Sequence, residues 1–274
     1  MPEGDSIFQA AARLHAVLAG QRIERFRSPL PALKEADLDG HIVARVFARG
    51  KNLIIEFDDG RCLRTHLRMQ GRWFVRDKAK LDDEQRERLA QAPHSLNPVL
   101  TLSLETANVV AVCERAAVAE LESPRTLQRN LASLGPDLLA PEFDPEQALQ
   151  NLRGVPELPI GDAIMRQSLL AGIGNVYKSE LLFLERLSPF VKVSELSDAQ
   201  LRALVARGQK LLNQNRSGRR RTTFGVLSRM PYYVYERSGQ HCLKCDTTIQ
   251  MRRQGSLQRS TYFCPECQGV REPR

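Results

Sequence analysis

The sequence predicts an α+β protein: a β-rich first part led by a helix, a helical second part, and a small metal-stapled unit at the end. Strand-type alternation runs through residues 23–113, and helical periodicity takes over from about residue 123. Four cysteines fall in two close pairs, Cys242/Cys245 and Cys264/Cys267, with 18 residues between the pairs. At 274 residues and 42% hydrophobic content, the chain can bury one large core or two smaller ones. The boundaries expected from the pattern are 1–125, 126–236 and 237–274.

The chain opens MPEGDSIFQA, placing Pro2 and Glu3 just ahead of a helix. Asp5 is a good N-cap for a helix over 6–19, where Ile7, Ala11, Leu14 and Leu18 recur at helical spacing before Gly20. HIVARVFARG and NLIIEF then alternate as strands joined at Gly50-Lys51, and Asp58-Asp59-Gly60 marks a turn before RCLRTHLRMQGRWFV. The charged stretch near 79–90 reads as a loop or short helix, and VLTLSLE with NVVAVCE reads as one more hairpin. Helical segments follow in LQRNLASLGPDLL, in APEFDPEQALQNLRG, on either side of AGIG in DAIMRQSLLAGIGNVYKSELLFLERL, and over 194–212. NRSGRRRTTFG is a basic loop before the cysteine unit.

Charge is distributed unevenly. Residues 201–274 carry 15 Lys+Arg against 4 Asp+Glu, whereas the whole chain is only +8. A basic C-terminal third on a near-neutral body is the footprint of a polyanion partner. Nucleic acid fits better than membrane, because no basic amphipathic helix with a bulky aromatic face accompanies the charge. No apolar run of membrane-spanning length and no basic-then-apolar leader is present, so a cytoplasmic protein with access to a bacterial nucleoid is expected.

In that compartment the HCLKC…CPEC spacing points to zinc rather than disulfides. Four thiolates close a tetrahedral site, so one structural zinc is expected, holding a hairpin too small to build its own core. Arg252, Arg253 and Arg259 lie between the pairs, as a compact DNA probe requires. Cys62 and Cys113 sit alone in strand-like contexts and read as buried, inert thiols. In AGIGNVYKSE, Gly172 and Gly174 allow a tight turn and Asn175 opens a helix whose free N–H groups suit a phosphate; Lys178 adds charge one turn on. The stretches RGKN at 49–52 and HLRMQG at 66–71 are weaker signals alone, and Met69 reads first as a core residue.

Together these motifs resemble the bacterial formamidopyrimidine-DNA glycosylase/endonuclease VIII family of base-excision repair enzymes. MPEG at 1–4, RGK at 49–51, HLRMQG at 66–71, LGPDLL at 134–139, QSLLAGIGNVYKSE at 167–180 and VYERSG–CLKC–QRSTYFCPECQ at 234–268 match in order along the whole chain. MPEGD looks more like the endonuclease VIII branch than the 8-oxoguanine branch. The resemblance implies an N-terminal helix with a β-sandwich, then a helix-two-turn-helix domain and a four-cysteine zinc finger. It implies a bifunctional DNA glycosylase and AP lyase, acting as a monomer on damaged DNA, with oxidised pyrimidines as substrates. The same chemistry on oxidised purines is the alternative, followed by a non-catalytic zinc-finger protein that binds damaged DNA.

Residue by residue, the resemblance implies removal of Met1 and a nucleophilic secondary amine at Pro2. Glu3 matches the acid that assists sugar opening, Lys51 the hairpin proton donor, and Arg259 the finger arginine assigned to δ-elimination. Asn175 matches a phosphate-binding asparagine, and Lys178 stands where endonuclease VIII proteins carry a basic residue. Arg68, Met69 and Gln70 match the loop that fills the hole left by an everted nucleotide. Three positions depart from the family: Ser6 where many members have Glu, Arg166 where Asp is usual, and Ser133 where a DNA-binding Arg is common. A carboxylate role lost at Ser6 would pass to Asp5 or disappear.

Overall fold

The computed structural model describes residues 1–82, 84, 99–217, 220–224 and 230–270. The chain forms two compact units, Met1–Pro2 with Ser6–Ala132 and Glu3–Asp5 with Ser133–Arg274. Most of the charged stretch near 79–90 lies outside the described residues.

In the first unit, helix α1 (Gly4–Leu18) supplies Ile7, Ala11, Leu14 and Leu18 to the core. The strands are β1 (Arg25–Arg27), β2 (Val43–Arg49), β3 (Asn52–Phe57), β4 (Cys62–His66), β5 (Arg72–Asp77), β6 (Leu100–Glu105), β7 (Val109–Glu114) and β8 (Val118–Glu122). They make two antiparallel four-stranded sheets in the orders β1-β6-β7-β5 and β2-β3-β4-β8. Leu53, Ile55 and Leu63 of one sheet share a core with Leu102, Leu104 and Cys113 of the other, so the sheets form a sandwich. Although β4 and β5 are separated by only five residues, they lie in different sheets. The connection is HLRMQG, and the Trp73 indole N–H donates to Thr65 Oγ1 at 3.0 Å across the join. Helix α2 (Pro124–Ala132) closes the unit, packing Leu127 on Ile54 and Cys62.

In the second unit, α3 (Pro145–Arg153) starts at Asp144, whose carboxylate caps the amides of Glu146 and Gln147. Only one turn of helix, α4 (Ile160–Ala163), forms where the longer first segment before AGIG is expected; the residues up to Gly174 are turns. The Gln167 side chain organises them, accepting from the Gly172 amide at 3.1 Å and donating to Ile173 O at 3.0 Å. Helix α5 (Asn175–Leu184) is buried from Asn175 through Phe183, and α6 (Asp198–Asn215) begins with a capping box between Ser197 and Gln200. The hairpin β9 (Gln250–Gln254) and β10 (Arg259–Phe263) completes the unit.

Candidate functional site: the N-terminal turn, the buried helix and the four-cysteine hairpin

Residues 3, 4 and 5 are each held by the turn that starts α5 or by the helix itself. The Glu3 carboxylate accepts from the amides of Gly174 (3.0 Å), Val176 (2.8 Å) and Tyr177 (3.3 Å). These are first-turn donors with no partner inside the helix, so an anion there satisfies both hydrogen bonding and the helix dipole. Glu3 is fully buried. The Gly4 amide donates to Gly172 O at 2.9 Å, and a Cβ at Gly4 would stand 3.0 Å from both Gly172 Cα and Leu212 Cδ2. Gly174 has no room for a side chain either, because a Cβ there would run into the Glu3 carboxylate.

Asp5 is not the N-cap expected from its position. The helix already begins at Gly4, and Asp5 faces inward with 1% of its side chain exposed. Arg221 grips it with both prongs, Nε to Oδ2 at 2.6 Å and Nη2 to Oδ1 at 2.5 Å, while the Tyr177 hydroxyl donates to Oδ2 at 3.0 Å. Burial, and then the Asp5 charge, raises the Tyr177 pKa, so this hydroxyl stays a donor. With both oxygens engaged, Asp5 is not available to replace the carboxylate that Ser6 lacks.

Further along α5, the expected phosphate residues take different positions. Asn175 is 5% exposed; its Nδ2 donates to Ser260 Oγ at 3.1 Å, and its Oδ1 has no hydrogen-bond partner among the described residues. Lys178 is 1% exposed, and its Nζ donates to Thr261 Oγ1 at 2.7 Å and Ser260 O at 3.2 Å. Burial, opposed by Asp162 and reinforced by Arg259, lowers the Lys178 pKa to about 8. The enclosed ammonium holds β10 against α5. Arg259 opens β10 half-buried beside it. Glu180 is buried too, yet it accepts from the amides of Tyr233, Val234 and Tyr235 at 2.8 Å each and from the Thr223 hydroxyl, which pins residues 223 and 233–235 to the same helix.

The remaining expected residues belong to the first unit. Pro2 is half-buried. Lys51 is in the two-residue turn between β2 and β3, where Gly50 has φ +57°, the glycine-first geometry of a type II′ hairpin. Next to this tip, His66 has its pKa lowered to about 4 by burial and then by Lys51, Arg68 and Arg64. Arg68, Met69 and Gln70 form an exposed loop tip; Met69 is 57% exposed and so is not the core residue its type suggests. The loop is narrow at its base, where the Gly71 amide donates to Leu67 O at 3.0 Å and a Cβ on Gly71 would meet Leu67 O at 2.7 Å.

The four cysteine sulfurs all lie within 4.8 Å of one another, with Cys242–Cys267 at 3.9 Å and Cys245–Cys264 at 3.4 Å. A tetrahedron with ~2.3 Å zinc–sulfur bonds has edges of about 3.8 Å, so these spacings are compatible with four thiolates holding one metal ion. Phe183, Val234 and Ile249 pack around Cys242 and Cys264.

Arg221 and Tyr177 are not recognisable as site residues in the sequence. One arginine in RRR has no distinguishing neighbour, and Asp5, its partner, reads in the sequence as a helix N-cap.

A helix-led β-sandwich, followed by a helical unit whose glycine turn opens a buried helix and then a four-cysteine hairpin, defines a known architecture. A crystal structure of Lactococcus lactis formamidopyrimidine DNA glycosylase bound to abasic-site DNA has the same fold, with TM-score 0.78 at 23% identity over 97% of this chain and 99% of that one. Residues 1–123 match the formamidopyrimidine-DNA glycosylase N-terminal domain and residues 134–223 its H2TH domain. The chain is 40% identical to a probable endonuclease 8 2 of Streptomyces coelicolor, covering all of this chain and 96% of that protein. It is 37% identical to the DNA-(apurinic or apyrimidinic site) lyase Nei2 of Mycolicibacterium smegmatis, over 98% and 99% of the two chains. The chain belongs to the formamidopyrimidine-DNA glycosylase/endonuclease VIII family and is endonuclease VIII-like.

Proposed function

We propose that this protein is a bifunctional DNA glycosylase and AP lyase of base-excision repair that attacks oxidised pyrimidine nucleotides through Pro2. The observation that carries this reading is the triple grip on Glu3, Gly4 and Asp5, which anchors the residues directly after Pro2. Backbone held this tightly beside Pro2 suits a residue that does chemistry.

In the processed chain, the Pro2 nitrogen adds to C1′ of the damaged nucleotide and the base leaves with the glycosidic electron pair. An α-amine titrates near ~7.7–8.0, so a neutral fraction is present at physiological pH. The adduct loses its N–H proton, and the C1′–O4′ bond then breaks, O4′ leaving with the electron pair and taking up a proton, so that the ring opens to an iminium with no N–H left to lose. Its positive charge acidifies C2′, and loss of that proton expels the 3′-phosphate, followed by the 5′-phosphate in δ-elimination. Lys51, at a tight hairpin tip, is the proton donor of this scheme, and Arg259 holds a phosphate beside the lesion. The exposed Arg68–Gln70 loop occupies the space left by the everted nucleotide, offsetting an extrusion cost of a few kcal/mol. One zinc ion held by Cys242, Cys245, Cys264 and Cys267 would supply structure only, since four thiolates leave no open position.

Incubation with abasic-site DNA and borohydride, followed by peptide mapping, tests the reading. A cross-link at Pro2 is expected; a cross-link at Lys51 with Pro2 free overturns it. Incision of single-lesion oligonucleotides tests the substrate class, with thymine glycol expected to be cut faster than 8-oxoguanine.

A further inference from the structure

The structure gives the N-terminus a second anchor besides Glu3. We propose that Arg221 is a positioning residue for the N-terminal nucleophile: its buried, two-pronged ion pair with Asp5 fixes the first turn of α1 and so restricts where the Pro2 nitrogen can stand. The inference rests on the Pro2 reading above and deepens it.

A guanidinium fork binding a carboxylate through two parallel bonds fixes the orientation of both groups as well as their separation. Arg221 meets Asp5 in this way, at 2.6 and 2.5 Å, with only 12% of its side chain exposed. The guanidinium is itself braced, lying 5.5 Å from the centre of the Tyr177 ring and hydrogen-bonded to the Tyr232 side chain. Tyr177 ties the two anchors together, because its amide donates to Glu3 and its hydroxyl to Asp5. Residues 3 and 5 are therefore fixed to one residue of one buried helix.

The consequence for Pro2 is geometric. Once the backbone of residue 3 is fixed, rotation about the Pro2 Cα–C bond is the one soft torsion that moves the nitrogen. An amine that must approach C1′ within about 3–3.5 Å benefits from this restriction. Loss of the fork removes one of the three grips on residues 3–5 and loosens the first turn, adding motion that the reaction must then freeze.

The test is single-turnover borohydride trapping on abasic-site duplex at saturating enzyme, together with affinity for a non-reactive tetrahydrofuran duplex. Arg221→Gln and Asp5→Asn should each slow trapping by about tenfold or more. Their double variant should be no slower than either single one, since they break the same interaction. Arg221→Lys should stay slow, because an ammonium keeps the charge but cannot form the fork. Affinity for the tetrahydrofuran duplex should stay within about threefold, a split that a general loss of folding would not produce.

Arg221→Gln trapping at the wild-type rate overturns the proposal. So does a loss confined to DNA affinity, with a shallower salt dependence and a normal Asp5→Asn enzyme, which would make Arg221 a phosphate contact. If the Arg221 variants do not fold, Tyr177→Phe keeps the ring and the ion pair but deletes the bracing hydroxyl. That enzyme must still trap more slowly than wild type, and an unchanged rate overturns the proposal. A wild-type protein that gives no cross-link at residue 2 overturns the Pro2 reading and this inference with it, an outcome distinct from any variant result.

Discussion

The Glu3 carboxylate caps the helix that begins at Asn175, with Val176 donating at 2.8 Å and Gly174 at 3.0 Å. Glu3 thus has a structural duty besides any part in sugar opening. Glu3→Gln replaces one acceptor oxygen with an NH2 group that faces backbone donors. Hydrogen bonds to a charged group are worth about 1.5–3 kcal/mol, so unfolding by denaturant should show a loss of about 2 kcal/mol. Base removal should fall strongly, while cleavage of a ready-made abasic site falls less, because that substrate has no base to expel. Gly174→Ala should reproduce the same pattern through its collision with Glu3. A Gly174→Ala enzyme with normal base removal would disconnect the cap from the chemistry.

Metal analysis of the purified protein should find one zinc per chain, and Cys264→Ser should lose most of it. Removing the metal should release the β9–β10 hairpin, whose packing centres on Cys242, Cys264 and Ile249. The sandwich draws its core from other residues and should keep its structure. DNA affinity should fall with the hairpin. Carefully prepared wild type without metal would end the zinc assignment.

Arg259 and Lys178 adjoin one another but should behave differently in salt. Each phosphate neutralised on duplex DNA contributes about −0.9 to the slope of log affinity against log salt. Arg259→Ala should make that slope shallower by about one unit. Lys178→Met should weaken binding through a loosened hairpin, since its ammonium is used on Thr261 and Ser260, and should leave the slope nearly unchanged. A slope change of about one unit with Lys178→Met would place its charge on DNA after all.

The exposed loop tip gives a test with little interference from stability. Met69 is 57% exposed, so Met69→Ala should leave unfolding within about 0.5 kcal/mol of wild type. Excision from duplex DNA should nevertheless slow, because extruding a nucleotide leaves a hole to fill. Single-stranded substrate, which has no stack to hold open, should be cut at near the wild-type rate. Equal slowing on both substrates would remove the wedge role.

Local pattern reveals much of this protein. Alternation locates the strands up to β7 but stops short of β8, Gly172 and Gly174 locate the turn before α5, and cysteine spacing locates the hairpin. Long-range partners are not legible. Nothing local in RCLRTHLRMQGRWFV indicates that β4 and β5 join different sheets, because that depends on β8 and β7, which follow much later in the chain. Nothing local shows that Lys178 and Glu180 are buried, since Thr261 and a run of backbone amides from 233–235 supply their partners. Met69 misleads: a hydrophobic residue that reads as core stands at a tip. For the two buried charges and the strand pairing, the deciding group lies far away in sequence.

His66 carries the last prediction. Its Nδ1 accepts from the Arg68 amide at 3.2 Å, which requires the neutral ring with the proton on Nε2. Burial and the neighbouring Lys51 charge hold its pKa at about 4, below the ordinary 6.5. The unfolded chain therefore takes up a proton as pH falls through 6.5, while the native protein resists until about 4. The associated stability is fully present above pH 6.5 and is lost progressively down to about 4. Ring NMR should place the His66 midpoint well below the ordinary histidine value. Lys51→Ala removes the second-largest cause of the shift and should move the midpoint upward, towards but not reaching 6.5, because burial remains. A midpoint near 6.5 in the wild type would mean that the ring is hydrated and that the hairpin tip does not lie against it.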